Sequence, residues 1–220
     1  ESVDLQNNTM TTKFFGWYGA DVHGEIFFYN VLEELDEPGE YFIDRTANKL
    51  YFYPEKNSEE ITLSVHQGCT VCLDNTTNTE LSYLTIKGCR NKGLAVIGNK
   101  NSIKNIIVTS CGCSGLSVSG YENLVDLSVV KYMGQGGIDV NGGDVLTLAS
   151  SHNKIQNSLI HDIGQIYQTV FSGISVNGVG SEILHNEIYN TSHLGISFSG
   201  NNNIMKYNYL HEVCTNSDDS

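Results

Sequence analysis

Carboxylate and imidazole side chains recur at regular positions in the second half of the sequence. Asp139 is the only carboxylate at the third position of a glycine-bounded segment that occurs five times. His161, His193 and His211 follow, and an acidic residue comes directly after the first and the last of them. Imidazole titrates near neutrality, so these side chains can hydrogen-bond sugar hydroxyls or tune the pKa of a neighbouring carboxylate. The alternatives are a solvated aspartate for Asp139 and, for His161 and His211, a row of histidines that caps turns.

Glycoside cleavage needs two carboxyl groups at a fixed separation. That separation is about 5–5.5 Å for cleavage with retention and about 6.5–9.5 Å for inversion. Stacked strands place equivalent side chains about 4.8 Å apart on neighbouring strands and about twice as far apart on alternate strands. A fold made of stacked strands therefore offers suitable spacings.

The repeated segment predicts such a fold. Its copies begin at Gly93, Gly115, Gly137, Gly173 and Gly195, with steps of 22, 22, 36 and 22 residues. Within each copy the second and fourth residues are apolar and the third is small or polar, an alternation typical of a strand. Coils of this length without a helical period favour an all-β fold, a right-handed parallel β-helix, over a leucine-rich repeat.

The register also predicts which side chains point inward. The second residues of the five copies should form one buried stack, which consists of Leu94, Leu116, Ile138, Ile174 and Ile196. Cys89 and Cys111 are equivalent positions on adjacent coils, and we expect buried, reduced thiols because in-register stacking does not easily give disulfide torsions. Asn186 and Asn208 are also 22 residues apart. Asparagines at coil bends commonly bond the backbone of the next coil.

The 36-residue step indicates two insertions in one coil. Matching Asn157 to Asn186 gives seven extra residues near Asp144–Lys154 and seven more near Gly164–Phe171. Insertions in a solenoid become loops on one side and often build the binding face. Asp144 and Tyr167 would then form the wall of a cleft, although loops that simply drifted longer are the alternative.

Residues 1–66 predict a β-rich cap that precedes the coils of residues 67–220. An aromatic, β-prone stretch at Phe14–Tyr29 comes first, followed by a short acidic helical turn within Asn30–Gly39. Glu40–Arg45 and Leu50–Pro54 then alternate around a turn, as a hairpin does. Trp17, Tyr51 and Tyr53 could stack on sugar rings, but a cap over the end of the solenoid is the favoured interpretation.

The composition of the chain disfavours several classes of binding partner. The net charge is −13 with only 12 Lys plus Arg among 220 residues, which disfavours a nucleic-acid surface. No apolar run is long enough for a membrane span, and the first residues do not show the basic-then-apolar pattern expected of a secretory leader. Cys69 and Cys72 form a C-x-x-C without a second pair at zinc spacing, so neither a metal nor another cofactor is expected.

The two ends of the sequence predict a piece of a longer protein. The chain begins at Glu1, and the coil that starts at Asn208 stops at Ser220 before the strand that should follow. An open solenoid end would expose unpaired strand edges, which native proteins cover.

Several segments resemble bacterial right-handed parallel β-helix repeat proteins among the carbohydrate-active enzymes. They are Asn30–Tyr53, the G-G-D at Gly142–Asp144, N-S-L-I-H-D at Asn157–Asp162, S-H-L-G-I at Ser192–Ile196 and N-Y-L-H-E-V-C at Asn208–Cys214. The resemblance implies that acidic groups on the strand face hydrolyse glycosides. It places Asp218 and Asp219 at the family's acidic position and His193 in its histidine motif, whereas Val145 replaces the usual arginine.

The leading hypothesis is therefore a segment of a secreted, periplasmic or cell-surface glycoside hydrolase that acts on a polysaccharide or oligosaccharide, and the segment alone is expected to have little or no activity. Asp218 and Asp219 are the candidate catalytic residues, and His193, Asp139, Asp144, His161, Tyr167 and His211 are candidates for substrate binding. A polysaccharide lyase ranks lower, since it would need clustered carboxylates for Ca²⁺ or a strongly basic residue. A non-catalytic carbohydrate-binding β-helix is the third hypothesis.

Overall fold

The computed structural model describes residues 2–4, 6–7, 9–11, 28–56 and 61–216. The chain divides into two compact units, Glu1–Ile61 and Thr62–Ser220. Asp218 and Asp219 lie outside the described residues, as do Trp17 and most of the aromatic stretch that begins at Phe14.

In its described residues, the first unit contains two antiparallel strand pairs. Strand β1 (Ser2–Asp4) pairs with β2 (Thr9–Thr11), a 3₁₀ helix covers Leu32–Glu34, and β3 (Tyr41–Asp44) pairs with β4 (Lys49–Phe52). The β3–β4 hairpin and the short acidic helix confirm two of the sequence predictions.

Side-chain hydrogen bonds fix the hairpin within this unit. Asp44 Oδ1 accepts the backbone N–H groups of Thr46 and Ala47, each at 2.9 Å, which shapes the turn. The Asn30 side chain accepts from the backbone N of Ile43 at 2.7 Å and donates to its carbonyl at 3.2 Å. The segment before the 3₁₀ helix is thereby tied to the middle of β3.

The second unit is a right-handed parallel β-helix of six coils in the described part of the chain, each with three strands. In chain order the strands are β5 (Val71–Thr77), β6 (Glu80–Ser82), β7 (Thr85–Cys89), β8 (Leu94–Asn99), β9 (Ser102–Lys104), β10 (Ile107–Cys111), β11 (Leu116–Tyr121), β12 (Leu124–Asp126), β13 (Val129–Met133), β14 (Ile138–Gly142), β15 (Lys154–Gln156), β16 (Leu159–Ile163), β17 (Ser172–Val179), β18 (Glu182–Leu184), β19 (Glu187–Thr191), β20 (Leu194–Asn201), β21 (Ile204–Lys206) and β22 (Tyr209–His211). The all-β prediction is confirmed.

Equivalent strands of successive coils build three parallel sheets of six described strands each. The first sheet is β5-β8-β11-β14-β17-β20, the second is β6-β9-β12-β15-β18-β21, and the third is β7-β10-β13-β16-β19-β22. All neighbouring strands in these sheets are parallel, because each coil returns the chain to the same starting point.

The core lies between the three sheets and consists of stacked apolar side chains. The predicted stack is present in register on the first sheet, with Leu94, Leu116, Ile138 and Ile174 fully buried and Ile196 partly buried. Cys89 and Cys111 are register partners on the third sheet, and both are buried free thiols, as the sequence predicted.

Buried asparagines link the coils at two bends. The backbone N of Asn101 donates to Asn123 Oδ1, and the backbone N of Asn123 donates to Asn153 Oδ1, both at 3.0 Å. At the other bend, the backbone N of Asn186 donates to Asn208 Oδ1 at 2.9 Å. Each amide therefore satisfies a buried backbone group of the neighbouring coil, as predicted for Asn186 and Asn208.

The two insertions are real, but their predicted lengths were wrong. Leu124 pairs with Lys154, a step of 30 residues, and Lys154 pairs with Glu182, a step of 28, against 22 between Ser102 and Leu124. The extra residues are therefore eight between β14 and β15 and six between β16 and β17. The error arose because Ser158, not Asn157, occupies the ladder position, where its backbone N donates to Asn186 Oδ1 at 3.1 Å.

Candidate functional site

The outward face of the first sheet carries mostly small or polar side chains around Asp139, and its edge strand β5 adds a second carboxylate, Asp74. Asp139 lies at its centre, between its register partners Ser117 and Ser175. The next outward row contains Asn141 and Asn177, also register partners. Hydroxyl and amide groups surround the carboxylate, a lining that suits a ligand rich in hydroxyl groups.

Asp139 is partly shielded from water and has a nearby cation. Its side chain is 32% exposed, and its Oδ2 lies 3.8 Å from Lys92 Nζ. Desolvation raises the pKa of the Asp139 carboxyl, while Lys92 and a hydrogen bond from Ser114 oppose that shift without cancelling it. The carboxyl group is thus easier to protonate than an ordinary aspartate.

The loop of residues 164–171 borders one end of this face. It is held on the preceding coil, because the backbone N of Ile166 and that of Tyr167 both donate to the Gly134 carbonyl, at 3.1 and 2.8 Å. The rings of Tyr167 and Phe171 meet edge to face with centroids 6.1 Å apart. Tyr167 is 55% exposed, so its ring is available for a ligand.

Phe171 brings this loop close to the surroundings of Asp139. A Cβ atom placed on Gly136 would lie 3.8 Å from the Phe171 ring and 3.5 Å from the Ser114 hydroxyl, the group that hydrogen-bonds Asp139. Gly136 therefore lies between the Phe171 ring and the Ser114 hydroxyl.

The loop of residues 143–153 borders the opposite end of the same strands. The Asp144 carboxylate accepts the backbone N–H groups of Leu146 and Thr147, at 2.8 and 3.3 Å. These hydrogen bonds lower the pKa of the Asp144 carboxyl. Asp144 therefore shapes its own loop, whereas Tyr167 lies on the other loop, at the far end of a strand about 16 Å long.

His161 and His211 lie together on the third sheet, away from the first-sheet face. They flank Tyr189 in one outward row, with ring centroids 4.8 Å apart for His161–Tyr189 and 4.9 Å for Tyr189–His211. His161 Nδ1 lies 2.7 Å from Asp162 Oδ2, and His211 Nε2 lies 3.3 Å from Glu187 Oε1. The structure therefore places these two histidines on either side of Tyr189, away from Asp139.

His193 occupies a third place, the turn between β19 and β20. Its carbonyl accepts from the backbone N of Cys214 at 2.8 Å and from the Thr191 hydroxyl at 3.0 Å. Its buried Nδ1 has no hydrogen-bond partner among the described residues. His193 directly precedes Leu194, the first residue of β20.

Sequence reasoning missed Lys92 and Ser114, which interact with Asp139, and Phe171, which pairs with Tyr167. Lys92 and Ser114 are one repeat apart and directly precede a repeat glycine, so the register could have placed them beside the outward row. Phe171 could have been found as the second aromatic residue of the insertion. That Lys92 reaches a carboxylate two coils away depends on its side-chain conformation, which no sequence pattern shows.

Within the described ranges, no group of three or more histidine, cysteine, aspartate or glutamate side chains is arranged to hold a metal ion. No described helix has the length and apolar character of a membrane span. Comparison with protein-family models, with curated proteins and with solved structures gave no match to this chain.

Proposed function

We propose that this chain belongs to a secreted glycan-degrading β-helix enzyme, a glycoside hydrolase, and that its first-sheet face holds the sugar. The observation that carries the proposal is Asp139, a carboxyl group of raised pKa whose register partners and neighbouring outward row supply hydroxyl and amide side chains. Inserted loops border that strip at both ends of the strands, as expected of a binding face.

Asp139 is proposed to bind the substrate. A carboxylate accepts hydrogen bonds from sugar hydroxyls, and a protonated carboxyl group can also donate one. Desolvation raises the pKa of Asp139, which favours the protonated form more than in an ordinary aspartate. Tyr167 would stack on a sugar ring, since aromatic faces present apolar area to the ring's C–H groups.

The catalytic carboxyl groups are proposed to be Asp218 and Asp219, with His193 nearby. These two aspartates match the acidic position of the family that the sequence resembles, and they lie outside the described residues. If both carboxyl groups act on one bond, their separation decides between retention and inversion.

Glycan binding without cleavage is the second candidate function. It is favoured because Asp139 is the one carboxylate in its outward row among the residues that the structure describes. A row of serines with one aspartate can bind hydroxyl groups whether or not a second acid completes the chemistry.

The test combines a glycan array with hydrolysis assays on aryl glycosides and oligosaccharides, using the 220-residue chain and a longer form that extends past Ser220. Asp139→Asn should weaken glycan binding, whereas Asp218→Asn and Asp219→Asn in the longer form should retain binding and lose turnover. Glu122→Gln, at an exposed turn position, is the control and should match the parent chain. Binding without turnover in the longer form favours the second candidate, and no binding to any glycan overturns both.

A further inference from the structure

We propose that a polar pocket beside the loop of residues 164–171 is a subsite for one neutral sugar ring. The inference rests on the proposed function, because it names the class of sugar that the same loop would help to bind. The side chains that carry it come from the turns after the third-sheet strands of three successive coils and are those of Gln165, Gln168, Asn190, Ser192, Thr215 and Asn216.

The chemistry of the lining favours a neutral ligand. Ile163 and Gly164 complete the set of lining residues, and none of the eight carries a charge. Amides and hydroxyls both donate and accept hydrogen bonds, as sugar hydroxyls do. A uronate or a phosphate would instead require a cation or several converging donors to offset the loss of hydration.

The pocket has room for a small ligand only. Its volume is about 220 Å³, below the range of about 300–1,000 Å³ that is typical of sites for drug-sized molecules. One ring with its hydroxyl groups fits such a volume, and the rest of a longer glycan would leave through the open side.

A hydrogen bond to a residue outside the pocket holds the Asn190 side chain in position. Its side-chain nitrogen donates to Asp162 Oδ1, while Asp162 Oδ2 lies 2.7 Å from His161 Nδ1. Because the amide nitrogen is engaged with Asp162, the Asn190 carbonyl oxygen remains to accept a hydrogen bond from a sugar hydroxyl. The third-sheet pair His161–Asp162 thus acts as a positioning group for the pocket.

The floor of the pocket is preformed. A Cβ atom on Gly164 would clash with the Ser192 hydroxyl, and Gly164 has φ +82°, so glycine is required at this position. The backbone N of Ser192 donates to the Ile163 carbonyl at 3.1 Å, and that of Asn216 donates to the Ser192 carbonyl at 3.1 Å. Preformed backbone positions reduce the entropy lost when a ligand binds.

The test is ligand-observed NMR on the 220-residue chain with a panel of methyl glycosides. Neutral probes are the glucoside, galactoside, mannoside, xyloside and N-acetylglucosaminide, and charged probes are glucuronate and galacturonate. We expect at least one neutral glycoside to bind and the two uronates to bind at least about tenfold more weakly, since burying an unpaired charge is costly.

Variants locate the binding in the pocket. Gln165→Ala and Gln168→Ala should each weaken the neutral glycoside about three- to tenfold, the effect of one lost hydrogen bond. Gln156→Ala, on β15 of the second sheet, is the matched control and should bind as the parent does. Equal or tighter uronate binding, or unchanged affinity in both pocket variants, overturns the subsite.

A longer oligosaccharide separates this inference from the proposed function. If oligosaccharides bind and Tyr167→Ala weakens them while the pocket variants do not, the subsite is wrong and the proposed function stands. If no glycan binds the parent chain, both are wrong.

Discussion

Lys92 Nζ lies 3.8 Å from Asp139 Oδ2, although a complete coil separates the two residues along the solenoid axis. The lysine side chain therefore runs along the outer face of the first sheet instead of pointing into solvent. Asp139 nonetheless has a raised pKa, so desolvation outweighs the attraction of the ammonium group. Most exposed ion pairs add little stability. The attraction between Lys92 and Asp139 offsets only part of the cost of desolvating the Asp139 carboxylate.

Asp139→Asn should stabilise the fold at neutral pH and change how stability depends on pH. A carboxyl group with a raised folded-state pKa binds protons more tightly in the folded chain. Its contribution to the free energy of unfolding is therefore present below the unfolded pKa of 3.8 and is lost as pH rises through the folded value. Urea denaturation of both proteins between pH 3.5 and pH 7 measures this effect. As pH rises over that range, the free energy of unfolding should fall less in the variant than in the parent, or rise more.

Asp144→Asn is the matched control, with the opposite sign. The folded-state pKa of Asp144 is lowered by hydrogen bonds from Leu146 and Thr147, so its stabilising contribution is present above pH 3.8 and is lost as pH falls. The variant should be less stable than the parent at pH 7 and should approach it in acid. A result in which both substitutions change stability in the same direction at pH 7 would contradict this account of the two carboxylates.

Cys89 and Cys111 should be unreactive in the folded chain. Burial, followed by the effects of the neighbouring Cys89 thiol, raises the pKa of Cys111 to about 12, so very little thiolate exists at pH 8. Alkylation with iodoacetamide followed by peptide mapping should label the exposed Cys72 first and leave Cys89 and Cys111 unlabelled until a denaturant is added. A disulfide-linked peptide pair containing both would contradict the prediction.

The sequence predicted the coils well because the signal for them is repeated. The glycine-bounded segments recur with the same register, so the stack that includes Leu94 and Ile138 follows from counting residues. Counting failed at the bend near Asn157, because the next residue, a serine, occupies the ladder position that asparagine holds elsewhere. The apparent lengths of the two insertions were therefore each wrong by one residue. The pocket beside Gln165 escaped prediction because its walls come from a non-repeating loop and from side chains of two different coils.

Gly120→Ala should destabilise the second unit by at least about 2 kcal/mol. Gly120 has φ +120°, a conformation that side-chain-bearing residues rarely adopt, and an added Cβ would clash with the carbonyl oxygen of Gly98 on the preceding coil. The neighbouring Ser119→Ala is the control, and its cost should stay within about 0.5 kcal/mol because Ser119 lies on the outward face. Guanidinium denaturation measures the free energy of unfolding of both variants. Equal values for the two variants would show that neighbouring coils can move apart at Gly120 without an energetic penalty.

Leu127→Asn should stabilise the chain by roughly 0.5–1 kcal/mol. Leu127 is 54% exposed and has φ 50° at the bend between the second and third sheets, where Asn105 and Asn157 hold the equivalent left-handed positions with φ 50° and 49°. Asparagine tolerates this conformation better than leucine, because its short polar side chain can hydrogen-bond locally. Leu127→Ala removes the same exposed side chain but keeps an ordinary Cβ residue in the left-handed conformation, so it should give no comparable gain. Thermal unfolding of the three proteins is the measurement, and an asparagine variant no more stable than the alanine variant would mean that this bend is not strained.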